Sequence, residues 1–333
     1  MSMKVINLEQ FKKSKISFYL ALEEYVLSSE KFTDDIFFIW DIDKSIIIGK
    51  NQLIYSEVNE RYATKMGINI YRRPSGGGAI YADDGCFMFS FIIKNKVISK
   101  EQTFKIYLTT IINALNKINI KAYFSGRNDL LVDGKKFSGN AYYKNINGEV
   151  LHGTFMYSTN IEEMVKCITP DSSKLLSKGI ASVSSRVINI CEYTTLSKEE
   201  LMIYLMNSIN NEFMELSQND ITKIKEIESK FLAREWIYLN NPPYTFKNMR
   251  RFSWGKVEVF IEIKKDKVKN IDIKGDFFEL KDLKEILNSL KNVSFTKNKF
   301  KEILDKQNIN EYILNGVNED LLDLIFEEEK SDV

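Results

Sequence analysis

Apolar positions early in the chain follow first a helical and then a continuous pattern. Over residues 17–27 they recur on successive helical turns, which predicts an amphipathic helix whose Glu23 and Glu24 face solvent. Residues 36–40 and 46–49 are near-continuous apolar runs, which are typical of strands covered on both faces. The pattern therefore predicts one helix followed by two buried strands.

Two further helices are predicted from the signals at their ends. Asn59 can cap a helix that stops at Gly67, where glycine adopts the left-handed conformation most easily. Ser99 and Gln102 form a capping box ahead of apolar residues that repeat at helical spacing. Other apolar runs predict strands over residues 68–71, 86–93 and 150–157.

A domain boundary is predicted at residues 240–244, where two of the four prolines stand together. Beyond it, residues 257–263 alternate between apolar and polar as a strand does, and residues 280–290 have helical spacing. The predicted organisation is a large domain over residues 1–243 and a small α+β domain over residues 246–326. Residues 327–332 read as a frayed acidic end.

Three consecutive glycines, at positions 76–78, directly follow Arg72, Arg73, Pro74 and Ser75. Successive N–H groups without a Cβ can wrap an anion, and guanidinium groups can add bidentate hydrogen bonds to a phosphate or carboxylate. The ordinary alternative is a glycine-rich bulge beside two solvated arginines. The spacing matches neither a Walker A loop nor a dinucleotide-binding fingerprint.

Polar residues gather on both sides of a predicted hairpin turn at Asp133 and Gly134. Carboxylate and amide oxygens suit Mg²⁺, and an ammonium group stabilises phosphoryl charge, so this hairpin fits a site where a divalent cation and a phosphate meet. The ordinary alternative is a solvated charged hairpin. The residues concerned are Arg127, Asn128 and Asp129 before the turn, and Lys135, Lys136 and Ser138 after it.

His152 is the only histidine in the chain, which excludes two-histidine metal sites and zinc-protease motifs. A lone histidine in an apolar run is more often structural than catalytic. Residues 174–187 mix serine, glycine and basic residues without apolar periodicity, which predicts a long loop suited to covering a nucleotide phosphate.

Composition narrows the classes of function. The net charge of +1 over 333 residues gives no case for general nucleic-acid binding. The three cysteines lack C-x-x-C spacing, which argues against a disulfide framework and a structural zinc site. Neither a leader segment nor a long apolar span is visible in the sequence, so we expect no membrane partner and a cytoplasmic location.

Taken together, these motifs resemble those of the lipoate–protein ligase family, and they occur in the family's order along nearly the whole chain. The residues after the boundary, including 275–278, are similar to the family's accessory domain. The segments that carry the resemblance are 21–25, 48–52, 57–59, 72–79, 127–130, 134–139, 152–154, 177–179 and 185–187.

The resemblance implies a fold and an activity. The fold is an α/β (α+β) catalytic domain with a mixed sheet, of the type shared with biotin–protein ligases and class II aminoacyl-tRNA synthetases, plus a small C-terminal α+β accessory domain. The activity is an ATP- and Mg²⁺-dependent ligation that forms lipoyl-AMP from lipoate. The lipoyl group then passes to a lysine of an acceptor, either an E2 lipoyl domain or a glycine-cleavage H-like protein.

The resemblance also assigns roles by position. Lys136 matches the family's essential lysine, which bridges the carboxylate and α-phosphate oxygens, and Asp129 matches the metal side. The residues matched to substrate and adenylate binding are Arg73, Ser75, Gly76, Gly77, Gly78, Ala79, Tyr81, Asn128, Ser138, Gly139, His152, Gly153, Thr154, Ser177, Lys178, Gly179, Ser182 and Val183.

Two residues depart from the family's pattern after the glycines. Ala82 and Cys86 stand where the family usually has histidine and asparagine. This departure suggests a branch with an unusual carrier, such as a glycine-cleavage H-like protein.

Two other functions stay open. One is a transferase that moves lipoyl or octanoyl groups between carriers through a cysteine thioester. Those relatives place the cysteine just before the stretch that matches Arg127, where residues 121–125 contain none. The other is a non-catalytic protein that binds lipoyl-adenylate.

Overall fold

The computed structural model describes residues 3–12, 14–94, 99–168, 183–238 and 244–326. The chain divides into two compact units. The first comprises Met1–Ile48, Ile54–Arg73 and Ala79–Ile237, and the second comprises Gly49–Leu53, Pro74–Gly78 and Tyr238–Val333. Two short segments from the N-terminal half therefore belong to the second unit. The predicted linker lies mostly outside the described residues, and the domain limits stay a prediction.

The first unit contains an eight-stranded mixed sheet. Its strands are β1 (Met3–Ile6), β2 (Asp35–Trp40), β6 (Cys86–Ile93), β7 (Tyr123–Phe124), β8 (Asp129–Val132), β9 (Lys135–Asn145), β10 (Gly148–Met156) and β11 (Phe213–Met214). Their order across the sheet is β11-β1-β2-β6-β10-β9-β8-β7. β1 runs parallel to both of its neighbours, and the other pairs are antiparallel.

A smaller sheet in the same unit has the order β4-β3-β5, from β3 (Ser45–Ile48), β4 (Asn69–Arg72) and β5 (Ile80–Ala82). The two apolar runs predicted as strands, β2 and β3, therefore belong to different sheets. The helices of this unit are α1 (Ile16–Ser28), α2 (Ile54–Glu57), α3 (Glu60–Lys65), α4 (Lys100–Lys117), α5 (Ile161–Ile168), α6 (Lys198–Ile209), α7 (Gln218–Leu232) and α8 (Arg234–Tyr238).

Apolar clusters cover both faces of the large sheet. Along β2, Phe37 and Ile39 pack into one cluster, whereas Ile36, Phe38 and Trp40 pack into another. Because successive side chains of a strand point to opposite faces, a fully apolar run is the pattern that such double burial requires. The prediction that this strand is covered on both faces is confirmed.

The predicted helix signals are confirmed at two helices. The side chain of Asn59 accepts a hydrogen bond from the Tyr62 N–H at the start of α3, and Gly67 follows this helix with φ of +65°. Both bonds of the capping box between Ser99 and Gln102 are present at α4.

The exposure predicted for α1 is wrong for one of its two glutamates. Glu23 is fully buried, whereas Glu24 is partly exposed and pairs with Lys230 at 2.8 Å. The reason is that α1 packs against the sheet on one side and α7 on another, so that nearly all of its residues are buried. A helix that is apolar almost all round is expected to be enclosed.

The second unit contains a three-stranded antiparallel sheet of β12 (Phe246–Phe252), β13 (Gly255–Lys264) and β14 (Lys267–Gly275). Its helices are α9 (Lys284–Ser289), α10 (Lys297–Lys306) and α11 (Asn318–Phe326). The helix predicted over residues 280–290 is shorter because residues 279 and 280 instead pair with the backbone of residues 312 and 313.

The mixed α/β fold with mixed sheets is the fold class that the resemblance implied. Among the residues the structure describes, none of the helices has the length and hydropathy needed to cross a membrane.

Candidate functional site

The predicted hairpin is present as β8 and β9. Asp133 and Gly134 form its turn with φ of +48° and +76°, the two positive values that a tight two-residue turn requires. The turn therefore returns the polar residues of one strand beside those of the other, as predicted.

Lys136 and Asp129 form an ion pair on this hairpin. The Lys136 Nζ lies 2.8 Å from the Asp129 Oδ1, and both side chains remain about one third exposed, at 37% and 31%. An ammonium group that is held beside a carboxylate and is partly exposed to solvent can contact a phosphate while the strand stays folded. Two of the charged residues predicted for this hairpin are therefore paired with each other.

The two neighbouring asparagines lock the strands together. The Asn128 side-chain N–H donates to the Asn140 carbonyl at 3.1 Å, and the Asn140 backbone and side-chain N–H groups both donate to the Asn128 carbonyl at 2.9 Å. Asn140 was not among the predicted site residues. The signal available in the sequence was a polar amide side chain within a strand of apolar and small residues.

Gly139 and Thr154 lie next to this pair. The Gly139 N–H donates to the Thr154 Oγ1 at 3.2 Å, which ties β9 to β10 beside Lys136. Ser138 is fully buried, and its hydroxyl lies 3.5 Å from the Asn140 Oδ1. Its predicted contact with substrate stays a prediction.

The last residues of the predicted long loop, together with Ile188, pair with β9 at the same lysine. The Lys136 N–H donates to the Arg186 carbonyl at 2.8 Å, and the Lys136 carbonyl accepts from the Ile188 N–H at 2.9 Å. Val183 begins this segment and accepts hydrogen bonds from the backbone of Arg186 and Val187. The predicted residues Ser177, Lys178, Gly179 and Ser182 lie outside the described residues.

Within the second unit, two of the three consecutive glycines are packed against backbone. A Cβ on Gly76 would lie 2.5 Å from the Phe277 carbonyl oxygen, and the Gly77 N–H donates to that oxygen at 3.3 Å. A Cβ on Gly49 would lie 2.1 Å from the Gly77 carbonyl oxygen. Gly78 has open space at its Cβ position. Close backbone packing therefore requires glycine at positions 49 and 76, and the φ of +88° at Gly77 favours glycine there.

Ser75 belongs to the same segment, and its carbonyl accepts from the Lys50 N–H at 2.8 Å. Its side chain is fully buried. Lys50 in turn forms an ion pair with Glu279 at 2.9 Å. These bonds fix the path of the segment inside the second unit.

The two arginines before the glycines have different surroundings. The Arg72 Nε donates to the Trp236 and Ile237 carbonyls at 3.0 and 2.9 Å, and the Trp236 indole N–H donates back to the Arg72 carbonyl at 2.8 Å. Arg73 donates to the Ile47 carbonyl at 3.2 Å. Burial lowers the pKa of both guanidinium groups to about 10. The structure thus ties the Arg72 Nε to the backbone of α8, and the anion-binding role expected for both arginines stays a prediction.

A buried polar network surrounds His152. Its Nδ1 lies 2.9 and 3.0 Å from the two carboxylate oxygens of Glu23, and the Ser90 hydroxyl donates to the same carboxylate at 2.6 Å. The Trp40 indole N–H donates to the Ser90 oxygen at 2.9 Å. Sequence reasoning missed Glu23 and Ser90. The available signals were a carboxylate within a helix that is apolar on all sides and a hydroxyl within a buried strand.

His152 is therefore satisfied by a carboxylate inside the core, which agrees with the more frequent structural role of a lone histidine. Gly153 follows it, and a Cβ there would lie 2.1 Å from the Asn140 Oδ1. The predicted contacts of both residues with substrate stay a prediction.

Tyr81 lies in a second ionic cluster of the first unit. Its hydroxyl donates to Glu163 at 2.9 Å, and the Lys44 ammonium donates to the same carboxylate oxygen at 2.8 Å. Because of the Lys44 hydrogen bond, the pKa of Glu163 is lowered. Tyr81 belongs to β5, and Ala79 comes directly before this strand as the first residue of the segment Ala79–Ile237 of the first unit.

The two positions that depart from the family's pattern are both apolar. Ala82 and Cys86 are buried in the cluster that also encloses Trp40. Burial raises the pKa of the Cys86 thiol to about 12. A small apolar residue and a neutral thiol are compatible with this environment.

The other cysteines are no more reactive. Burial raises the pKa of the Cys167 thiol to about 12 and also raises the pKa of Cys191. A thiolate is the nucleophilic form of cysteine, so a raised pKa keeps all three thiols in the inert form at neutral pH.

Within the described ranges, no group of three or more histidine, cysteine or acidic residues is arranged to hold a metal ion. Asp129 supplies one carboxylate, with the Asn128 amide next to it in sequence. Mg²⁺ is commonly held by one or two carboxylates together with phosphate oxygens of a bound nucleotide. The donors present therefore fit a magnesium ion that arrives with a nucleotide.

Comparison with known proteins adds independent information. Residues 15–210 match the family model of the lipoyl protein ligase A/B catalytic domain, and residues 241–325 match that of the bacterial lipoate protein ligase C-terminus. Lipoate-protein ligase LplJ of Bacillus subtilis is 35% identical over 318 residues, which cover 92% of this chain and 96% of that protein.

Two solved structures have a similar fold. The structure of P. falciparum LipL1 in complex with lipoate has a TM-score of 0.77 and 24% identity, covering 96% of both chains. A lipoate-protein ligase A bound with ATP has a TM-score of 0.63 and 21% identity, covering 72% of this chain and 99% of the other.

Proposed function

Because the chain belongs to the lipoate–protein ligase family, we propose that it uses ATP and Mg²⁺ to convert lipoate to lipoyl-AMP and then transfers the lipoyl group to a lysine of an acceptor protein. The observation that carries this proposal is the Lys136 ammonium, held 2.8 Å from Asp129 on a hairpin that remains open to solvent. A cation in this setting suits a reaction between two anions.

The proposed reaction has two steps. In the first, a carboxylate oxygen of lipoate forms a bond to the α-phosphorus of ATP, and the bond to the bridging oxygen breaks, so that pyrophosphate leaves. In the second, the neutral amine of the acceptor lysine attacks the acyl carbonyl. AMP leaves with the electron pair of the broken bond, and the amine gives up a proton.

Neither step requires a nucleophile from this chain. The chain must hold two negative reactants close together and offset the charge that accumulates at phosphorus. We assign this role to Lys136, as the resemblance implied. Arg73 is assigned to the carboxylate of lipoate. Its pKa of about 10 leaves it protonated at neutral pH although it is buried.

Asp129 is the residue that would hold Mg²⁺, and Asn128 is assigned to the nucleotide. When bound, the ion neutralises phosphate charge and orients the nucleotide. The glycine segment at positions 76–78 is assigned to lipoate and its adenylate on the resemblance alone.

The thioester transferase is the less favoured alternative. It requires an activated cysteine, and burial raises the pKa of each of the three thiols. Formation of lipoyl-AMP would distinguish a ligase from the other alternative, a non-catalytic protein that binds lipoyl-adenylate.

The test is to incubate the full chain with ATP, Mg²⁺ and lipoate and to follow lipoyl-AMP by mass and pyrophosphate by release assay. Lys136→Ala is expected to lower the rate about 10²- to 10³-fold, the usual effect of losing one preorganised donor. Lys135→Ala is the matched control, since it removes the same charge from the neighbouring position of the strand. Equal rates for the wild type and Lys136→Ala would show that the assignment is wrong.

The acceptor is tested separately. An E2 lipoyl domain and a glycine-cleavage H-like protein are offered to the enzyme with preformed lipoyl-AMP. A preference for the H-like protein is expected if Ala82 and Cys86 mark a branch with that carrier, and equal rates on both acceptors would remove this idea.

A further inference from the structure

Lys136 and Gly139 are three residues apart on β9, so in a regular strand their side-chain positions would face opposite ways. The register with β8 is irregular here. Lys136 pairs with Leu131 and Gly139 with Asp129, whereas Phe137 has no partner. Phe137 is thus the extra residue of a β-bulge, and a one-residue insertion reverses the alternation of every position beyond it. The bulge places Lys136, Gly139 and Asp129 on the same face.

The end of the Lys136 side chain occupies the space that a side chain at position 139 would fill. A Cβ on Gly139 would lie 2.8 Å from both the Cε and the Nζ of Lys136. Real Cβ atoms essentially never approach other heavy atoms this closely. The ammonium group therefore rests on bare backbone, next to the Asp129 carboxylate at 2.8 Å.

The ion pair is too weak to hold the ammonium by itself. A partly exposed ion pair contributes little net stability once the rotamer entropy that the lysine side chain loses has been subtracted. The ammonium group also needs room beside the carboxylate, and the absence of a side chain at Gly139 provides that room.

We infer that Gly139 is a positioning residue for Lys136: the bulge at Phe137 turns the lysine onto this face, and the missing side chain of Gly139 provides the seat for its ammonium group. This inference deepens the proposed function and rests on it for the effect on rate. It differs from the direct contact with substrate that the resemblance implied for Gly139.

The first experiment is a double-mutant cycle with Gly139→Ala and Lys136→Ala, read out as the rate of lipoyl-AMP formation. Gly139→Ala is expected to lower kcat at least 10-fold, with little change in KM for ATP or lipoate. In the Lys136→Ala background, Gly139→Ala is expected to have no further effect, because residues that act as a unit are non-additive. Equal losses in both backgrounds would overturn the inference.

The second experiment does not depend on activity. Each lysine amine of the unliganded chain is labelled with limiting acetic anhydride, and the extent of modification is measured by mass spectrometry. In Gly139→Ala, the displaced Lys136 amine is expected to be labelled at least 3-fold faster, whereas Lys135 serves as the internal control. Unchanged labelling of Lys136 would overturn the inference even if the enzyme proved inactive on lipoate.

Gly139→Ala is expected to fold, since the atoms nearest to the new methyl group are the flexible end of a lysine side chain. A variant that no longer folds would also count against the inference, because a mobile amine should yield to a methyl group. If the wild type failed to form lipoyl-AMP, the proposed function would be refuted. Faster labelling of Lys136 in Gly139→Ala would in that case still support the positioning role of Gly139.

Discussion

Removal of the Glu23 carboxylate is expected to cause a large loss of stability. Glu23 is fully buried and accepts hydrogen bonds from the Ser90 hydroxyl at 2.6 Å and from the His152 Nδ1 at 2.9 Å. With Glu23 ionised, the His152 Nδ1 is the donor of this pair. Glu23→Ala leaves both donors in the core without their acceptor.

The magnitude follows from the number of groups left unsatisfied. Each buried donor without a partner costs about 1–3 kcal/mol, so the two together give about 3–5 kcal/mol after some relaxation. For a unit of this size, such a loss lowers Tm by roughly 6–20 °C. Glu23→Gln keeps the shape and one acceptor oxygen, and we expect about 1–2 kcal/mol.

The matched control is Glu24→Ala, the next residue of the same helix. In its ion pair with Lys230, the Glu24 side chain is 31% exposed and the Lys230 side chain is 45% exposed. Ion pairs that are exposed to this extent contribute about 0–1 kcal/mol to stability. Both substitutions remove one glutamate from α1 and have the same helix propensity change, so their difference isolates burial.

The assay is urea unfolding followed by tryptophan fluorescence, since the Trp40 indole belongs to the network and reports its loss. Circular dichroism at the same urea concentrations measures the helices. If Glu23→Ala lowered the free energy of unfolding by no more than Glu24→Ala does, the buried network would not be a major source of stability and the reasoning would be refuted.

Three further predictions concern single positions. Gly153→Ala is expected to lower the free energy of unfolding by about 1–3 kcal/mol, since its Cβ would lie 2.1 Å from a buried amide oxygen; thermal unfolding measures this. Gly76→Ala is expected to lower the Tm of the second unit, whereas Gly78→Ala, where the space is open, is expected to leave it within about 1 °C; calorimetry compares the two. Burial raises the pKa of Asp220, but hydrogen bonds from Lys31, Tyr25 and Ser217 outweigh it, so the folded-state pKa is below the ordinary value of about 3.9. The stability that Asp220 contributes is present above that value and is lost as the pH falls below it, and Asp220→Asn is expected to remove this part of the acid dependence in urea titrations between pH 5 and pH 2.

Each of these has a result that would contradict it. An unchanged Tm for Gly153→Ala would show that the side chains of Asn140 and Phe89 can shift at little cost. Equal effects of alanine at Gly76 and Gly78 would show that backbone packing does not decide which glycine is required. The same acid dependence with and without Asp220 would assign that dependence to other carboxylates.

Much of the candidate site was visible in the sequence because its signals are short-range. The Asp133 and Gly134 turn brings the two polar segments of the hairpin beside each other by local geometry, and the structure confirms this hairpin. The capping box at Ser99 also depends only on residues within one turn of helix. The order of the motifs was sufficient to indicate the family.

Other features depend on partners that are distant in sequence, and the sequence alone did not reveal them. Glu23 was expected to face solvent, and it is buried because Ser90 and His152 meet it from two different strands. The sequence also did not reveal that the Arg72 Nε donates hydrogen bonds to carbonyls more than 160 residues away. Burial and pairing of this kind are set by packing between elements, which no local pattern encodes.

The face of the sheet on which Lys136 lies shows most clearly which features follow from local signals and which depend on packing. The order of the residues is enough to place a lysine after an Asp-Gly turn and a glycine three residues beyond that lysine. The identity of Phe137 as the bulged residue depends on the pairing of β8 with β9, because register is fixed by the way two strands bury their apolar sides together. That one-residue shift is the physical reason why the ammonium group, the carboxylate and the bare backbone share one face.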